Sequence, residues 1–190
     1  MGWTSEPCSK PATAKDQGNL VLERFLAGWN QTPKVLGSKH TAEDMGNQVL
    51  YALLELEKKD GSRTNAIFVI LYHWRDGELY TKEMDSSVGP CYYDCPVKWF
   101  DAAPVVSDFD REWREECLKR DALKREMRRL KAGDLVRFSW GYAGHRVWRY
   151  TGMRGVFTLP DGTASVRLRN WRKNYAGLAT EDDARQEVKP

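Results

Sequence analysis

Hydrophobic positions change their period along this chain, and each change predicts a different element. Between Asp16 and Trp29 the apolar residues Leu22, Phe25, Leu26 and Trp29 recur at helical spacing, which predicts an amphipathic helix. Pro33 to Lys39 reads as a loop. Gln48 to Glu57 fits two elements: Leu and Ala favour a helix, while Val49, Tyr51 and Leu53 alternating with Gln48, Leu50 and Ala52 suit a strand buried on both faces. Its neighbours favour the strand. Lys59-Asp60-Gly61-Ser62 is a turn, Asn65 to Trp74 is the most strand-like run in the chain, and Asp76-Gly77 turns into Glu78 to Met84. Three antiparallel strands joined by two hairpins follow.

The first fifteen residues, with Pro7 and Pro11, read as an irregular arm. Lys82 to Pro104 is too irregular for a regular element and too apolar for a disordered loop, with one or two helical turns over Val97 to Ala102. Asp108 to Lys131 is the clearest helix, with Asp108 as N-cap, Gly133 beyond its end and a thin apolar stripe of Trp113, Cys117, Leu123, Met127 and Leu130. From Asp134 the pattern becomes all-β: Leu135 to Trp140, Val147 to Thr151, Met153 to Leu159 and Ala164 to Asn170, the last two linked by Pro160-Asp161-Gly162. Short strands this dense predict a small curled sheet or SH3-like barrel. The tail from Thr180 reads as mobile. The expected architecture is α+β: an N-terminal antiparallel sheet with a helix (1–107), a basic connecting helix (108–132), an SH3-like β module (133–175) and an acidic tail (176–190).

Composition narrows the class. In 190 residues, 41% are hydrophobic and 12% aromatic, which excludes a disordered chain. The longest apolar stretch, Ala66 to Tyr72, is strand-sized, so no membrane partner is expected. No charged-then-apolar leader opens the chain, so a cytoplasmic location with reduced thiols is expected for Cys8, Cys91, Cys95 and Cys117.

Charge changes the picture more. The net +3 conceals 11 Lys and Arg against 16 Asp and Glu in residues 1–110, then 17 against 7 in residues 111–173, then 2 against 4 in the tail. A basic block of this size suits a polyanionic partner, either nucleic acid or an acidic protein surface; it also suits a solvated helix face. At helical spacing Arg125, Arg128 and Arg129 fall on one face. After them Arg137, Arg146, Arg149, Arg154, Arg167, Arg169, Arg172 and Lys173 interleave with Trp140, Tyr142, Trp148, Tyr150 and Trp171. Alternation turns Val166 and Leu168 inward and leaves Arg167 and Arg169 outside. Guanidinium groups beside exposed aromatics neutralise phosphates and stack on bases. The alternative is that Trp140, Trp148 and Trp171 fill a small core with arginine stems covering it.

Three islands carry a resemblance: Met1, Gly2 and Trp3; Lys82, Met84, Asp85, Ser86, Pro90, Tyr92, Tyr93, Cys95 and Pro96; and Gly133, Asp134, Val136 and Arg137. In these the chain resembles an uncharacterised family of small bacterial and phage-borne proteins. Cys91 and the stretch Trp140 to Tyr150 fall outside that pattern. The resemblance implies a phage or mobile-element context and a two-part architecture, with no known chemistry.

Within the central island, Asp85 beside Ser86 and Ser87 suits a turn cap or a catalytic carboxylate, the cap being the simpler account. Cys95 is either a buried structural cysteine or, with His73 as base, a thiol nucleophile. Tyr92 and Tyr93 point to opposite faces if extended, one into the core and one free to stack. Cys91-x3-Cys95 lacks the spacing of a zinc knuckle, and no phosphate loop or metal motif occurs, so no cofactor or metal is expected. The leading expectation is a non-catalytic accessory protein that binds nucleic acid, or a nucleic-acid-bound host complex, through residues 124–173. An inhibitor of a host defence protein and an enzyme centred on Lys82 to Pro96 are the alternatives.

Overall fold

Asp76 and Gly77, with φ of 53° and 81°, form the two-residue turn that reverses the chain between β4 (Arg63–Arg75) and β5 (Glu78–Asp85). A computed structural model describes residues 2–42, 48–85, 92–142, 144–169 and 171–187. The chain divides into two compact units, Met1–Leu118 and Lys119–Pro190. Each is built on a five-stranded antiparallel sheet, so the fold is α+β.

In the first unit β1 (Thr4–Pro7), β2 (Lys34–Ala42) and β3 (Gln48–Glu57) join β4 and β5 in the order β1-β5-β4-β3-β2. The two-sided burial expected of β3 has a cause: the sheet is covered on both faces. Leu50, Ala52, Leu54, Phe68, Ile70 and Tyr72 pack towards α1 (Ala14–Ala27). Val49, Tyr51, Leu53, Ile67, Val69 and Leu71 pack against Cys95, Trp99, Ala103, Trp113 and Cys117. Both helix starts depart from expectation. Helix α1 begins two residues early because Thr13 Oγ1 accepts from the Asp16 N–H at 3.1 Å. In α2 (Asp108–Arg129) the cap is Ser107, whose hydroxyl accepts from the Asp110 N–H at 3.0 Å, and Asp108 is already helical.

Two segments read as irregular are strands. The N-terminal arm contributes β1, with Pro7 at its end, where a missing N–H costs little on an edge strand. Pro33 to Lys39 contains most of β2, the opposite edge. A register shift between Val35 and Gly37 breaks its alternation, which hides the strand from a period-two search.

The second unit contains the later turns of α2 and β6 (Leu135–Tyr142), β7 (His145–Tyr150), β8 (Val156–Thr158), β9 (Ser165–Arg167) and β10 (Tyr175–Leu178), ordered β10-β6-β7-β8-β9. Pro160-Asp161-Gly162 lies in the hairpin between β8 and β9, as expected. One sheet face carries Val136, Phe138, Trp148 and Phe157, closed by Leu168, Trp171 and Tyr175, by Leu123 and Met127 of α2 and by Leu130 just beyond it. Trp171 belongs to a single-turn helix, α3 (Trp171–Asn174). The other face buries Leu135 and Val147 under Ala184 of α4 (Glu181–Glu187). The tail read as mobile therefore has a structured start. The Thr180 hydroxyl accepts from the Asp183 N–H at 3.2 Å, while the Asp183 carboxylate accepts from Thr180 N–H and hydroxyl at 2.9 Å each.

Candidate nucleic-acid interface

All of the arginine and aromatic candidates fall in the unit Lys119–Pro190, which carries 17 Lys and Arg against 8 Asp and Glu, a net of +9. Helix periodicity places them first. Leu123, Met127 and Leu130 turn towards the sheet, so Arg125, Arg128 and Arg129 occupy the opposite, exposed side. Arg125 is paired with Asp121 at 3.0 Å, one helical turn away. Arg128 and Arg129 have no ion-pair partner among the described residues. A groove of about 440 Å³ is lined by Arg125, Glu126, Arg129, Asp134 and Leu178.

Glu126 sits within this basic run but works inward. It accepts from the Tyr175 hydroxyl and from the Leu178 N–H at 3.0 Å, tying α2 to β10. Burial, and then the Glu126 carboxylate, push the Tyr175 hydroxyl pKa well above its ordinary value. A carboxylate in a row of cations at helical spacing is the one signal that could have marked it.

Strand register sorts the remaining arginines. Arg137 lies opposite Val147, and Arg149 lies between Leu135 and Thr158, so both share the sheet face that α4 covers. Arg167, opposite Val156 in β9, belongs to the same face and is exposed. There the tail intervenes: Arg137 pairs with Asp183, and Arg149 pairs with Glu181 at 3.0 Å while also donating to the Gly133 carbonyl at 3.0 Å. Two cations counted as available are thus occupied by the acidic tail. Arg146 and Lys173 are exposed, and Arg169 is exposed just beyond β9. Arg172 lies over the Trp171 ring, 5.5 Å from its centre.

The aromatics divide. Trp148 and Trp171 are core, which the alternative of a tryptophan-filled core expected of them but also of Trp140, and Trp148 Nε1 donates to the His145 carbonyl. Tyr142 is half-buried against Phe138, and its hydroxyl accepts from Asn174 Nδ2. Trp140 is 72% exposed, the one large aromatic of this unit that the fold leaves to solvent among the described residues.

The central island lies in the other unit. Tyr92 and Tyr93 are both half-buried against the first core rather than divided between core and solvent. The Tyr92 carbonyl accepts from Trp113 Nε1 at 2.8 Å, the Asp94 N–H donates to the Tyr51 hydroxyl at 3.1 Å, and the Asp94 carbonyl accepts from Lys39 Nζ. Pro96 precedes a 3₁₀ turn over Val97–Trp99. Lys82 is half-buried in β5, and Asp85 ends that strand. Met1, Ser86, Pro90, Cys91 and the side chain of Asp85 lie outside the described residues.

Cys95 is 4% exposed, and burial, followed by the neighbouring Cys117, drives its thiol pKa far up. That is the reverse of what a thiolate nucleophile needs. His73, its suggested base, is stacked on Tyr80 with ring centres 5.0 Å apart and meets Trp3 edge-on.

A feature that sequence reasoning missed organises this region. Asp110 is fully buried, and Arg114, one turn on, is 6% exposed. Arg114 Nε and Nη2 grip the two Asp110 oxygens at 2.8 and 3.1 Å. Nη1 donates to the Phe100 and Ala103 carbonyls at 3.0 and 2.9 Å, and Nη2 to the Pro104 carbonyl at 2.9 Å. All five guanidinium N–H groups are satisfied. The visible signal was an Asp and an Arg at i, i+4 near a helix start, hidden among many similar exposed pairs.

Among the described residues no group of three or more His, Cys, Asp and Glu gathers to hold a metal, and no helix is long and apolar enough to cross a membrane. No family model, curated protein or solved structure matches this chain.

Proposed function

We propose that residues 133–175 form an SH3-like module, fed by the basic end of α2, and that together they bind nucleic acid without catalysis. In the setting implied by the resemblance, this is an accessory protein of a phage or mobile element acting on nucleic acid or a nucleic-acid-bound host complex. One observation carries the reading. Arg128, Arg129, Arg154, Arg167 and Arg169 are exposed with no ion pair among the described residues, in the same unit as the exposed Trp140. Arginines left free release phosphate counterions, and an exposed indole stacks on a base of any identity.

The test is fluorescence anisotropy with labelled single- and double-stranded oligonucleotides across a salt series. Affinity should fall steeply between about 50 and 200 mM salt. On single strands, Arg128→Gln with Arg129→Gln should flatten the log–log salt slope by about 0.7 for each arginine that contacts a phosphate. Trp140→Ala should weaken binding by about 5- to 150-fold, the range expected for one stacked base. Binding that ignores salt, or no binding to either form, refutes the reading.

A second reading, protein contact as in inhibition of a host defence protein, draws on a different place. Val105, Val106 and Phe109 are 49%, 61% and 64% exposed within one five-residue stretch of the first unit. A stoichiometric host protein that stays bound after nuclease treatment would favour this reading over nucleic acid.

A further inference from the structure

The outer face of the second sheet is a cationic surface already filled by the chain itself. Register places Arg137, Arg149 and Arg167 on that face, with small or short neighbours at Thr158 and Ser165. The carboxylates of Asp183 and Glu181 occupy the first two of these arginines. A guanidinium fork recognises a carboxylate and a phosphate by the same pair of parallel N–H donors, so a site that accepts one accepts the other.

The cover is lightly held. Helix α4 has seven residues, too few to persist without tertiary support. Among the described residues, its support within the unit is one buried methyl, Ala184 at 4% exposure against Leu135 and Val147, together with the two ion pairs. Those pairs remain in contact with water: the Arg137 side chain is 44% exposed and Arg149 33%. Partly exposed pairs contribute little, and a short element anchored this way opens at the low end of the local-unfolding range. A polyphosphate backbone offers many charges to the same face and competes with two.

We infer that α4 is an intramolecular competitor. Glu181 and Asp183 stand where two backbone phosphates of a nucleic acid bind, and the ligand displaces the helix to reach Arg149 and Arg137. The inference rests on the nucleic-acid reading above and adds its regulation: the module is held in a lower-affinity state by its own acidic helix.

Neighbouring acids supply the test. Asp182 lies beside Glu181 on α4 but pairs with Arg185 of its own helix and not with the sheet. Glu181→Gln and Asp182→Asn therefore remove the same charge from adjacent positions of the full-length chain, and only the first frees a sheet arginine. With a labelled single-stranded oligonucleotide at low salt, Glu181→Gln should tighten binding about fivefold or more, and Asp182→Asn less than about twofold. The gain from Glu181→Gln should vanish when Arg149→Gln is added. Oligonucleotide added to the unmodified chain should accelerate amide exchange at Asp183 and Ala184, whose N–H groups are held by Thr180. If the chain binds with the expected salt dependence but the two acid variants behave alike, or the gain survives Arg149→Gln, this inference fails and the reading beneath it stands. If neither the original chain nor any variant binds, both fail.

Discussion

Arg114 is the residue whose loss tests the architecture most directly. Its five donors serve two carboxylate oxygens of Asp110 and three carbonyls, of Phe100, Ala103 and Pro104. Arg114→Met keeps most of the aliphatic volume and removes every donor. It leaves a fully buried Asp110 that still accepts from the Val106 N–H at 3.1 Å but has lost its countercharge, and three carbonyls that must find water. Removing one member of a buried, hydrogen-bonded pair costs about 3–5 kcal/mol, because the surviving charge is desolvated and unpaired. Domains are stable by about 5–15 kcal/mol, so this is a large share of what holds the first unit.

Urea unfolding of the full chain, followed by hydrogen exchange at the β3 and β4 amides, reads the first unit separately. With a denaturant slope of about 2 kcal/mol per M, a 4 kcal/mol loss moves the midpoint by about 2 M. Arg114→Lys keeps the charge but loses the planar fork, and should recover less than half of the loss. Adding Asp110→Leu to Arg114→Met should destabilise by clearly less than the two single losses together, since no orphaned charge then remains. A midpoint shift below about 0.5 M for Arg114→Met, or strict additivity in the double variant, refutes the account.

Three further outcomes follow from the same geometry. Native Cys95 should resist iodoacetamide at mildly alkaline pH, where half-buried Cys8 reacts, and become reactive in denaturant; labelling by peptide mass spectrometry checks this, and modification of the native protein at a rate near that of Cys8 contradicts it. Asp183 is held below its ordinary value of 3.8, first by the Thr180 N–H and hydroxyl and then by Arg137. A depressed folded-state pKa contributes stability above the ordinary value that is lost as pH falls through the folded one, so protection of the Ala184 amide should be retained at neutral pH and lost only as acidification carries Asp183 through its lowered pKa. Protection unchanged on acidification counts against it. In β2, a Cβ on Gly37 would lie 2.9 Å from Cζ2 of the buried Trp99, so Gly37→Ala should cost about 1–3 kcal/mol in thermal or urea unfolding; an unaffected stability would mean that Trp99 has room to move.

What could be read from the chain follows from what each residue reports. The inner strands β3 and β4 were legible because burial on both faces leaves runs of Val, Leu, Ile and Tyr, and the turns flanking them favour strands over the helix that Gln48 to Glu57 also fits. The edges β1 and β2 were not. An edge strand keeps one ladder in water, tolerates Pro7, and in β2 absorbs a bulge that erases alternation. Capping was legible in kind and misplaced in position: Asp108 and Ser107 are both capping residues, and only the hydrogen bond to Asp110 decides between them. The buried Asp110–Arg114 pair was not legible, since nothing local separates it from a solvated i, i+4 pair such as Asp121–Arg125. Burial is conferred by the segment Phe100 to Val106, which no helical pattern announces.

Charge shows the same limit from the other side. Counting along the chain located a basic block and an acidic tail, and treated them as two segments with opposite signs. Pairing makes them one system. Strand register carries Arg137 and Arg149 to the face where Thr180 and Asp183 start a helix, and two tail carboxylates then cancel two of the block's cations. On the proposed reading, a phosphate backbone would meet fewer unpaired arginines than the composition implies, among them Arg128, Arg129, Arg154, Arg167 and Arg169. Removing these should weaken binding, and removing Glu181 should strengthen it. No net charge, however partitioned, predicts both signs; the pairing does.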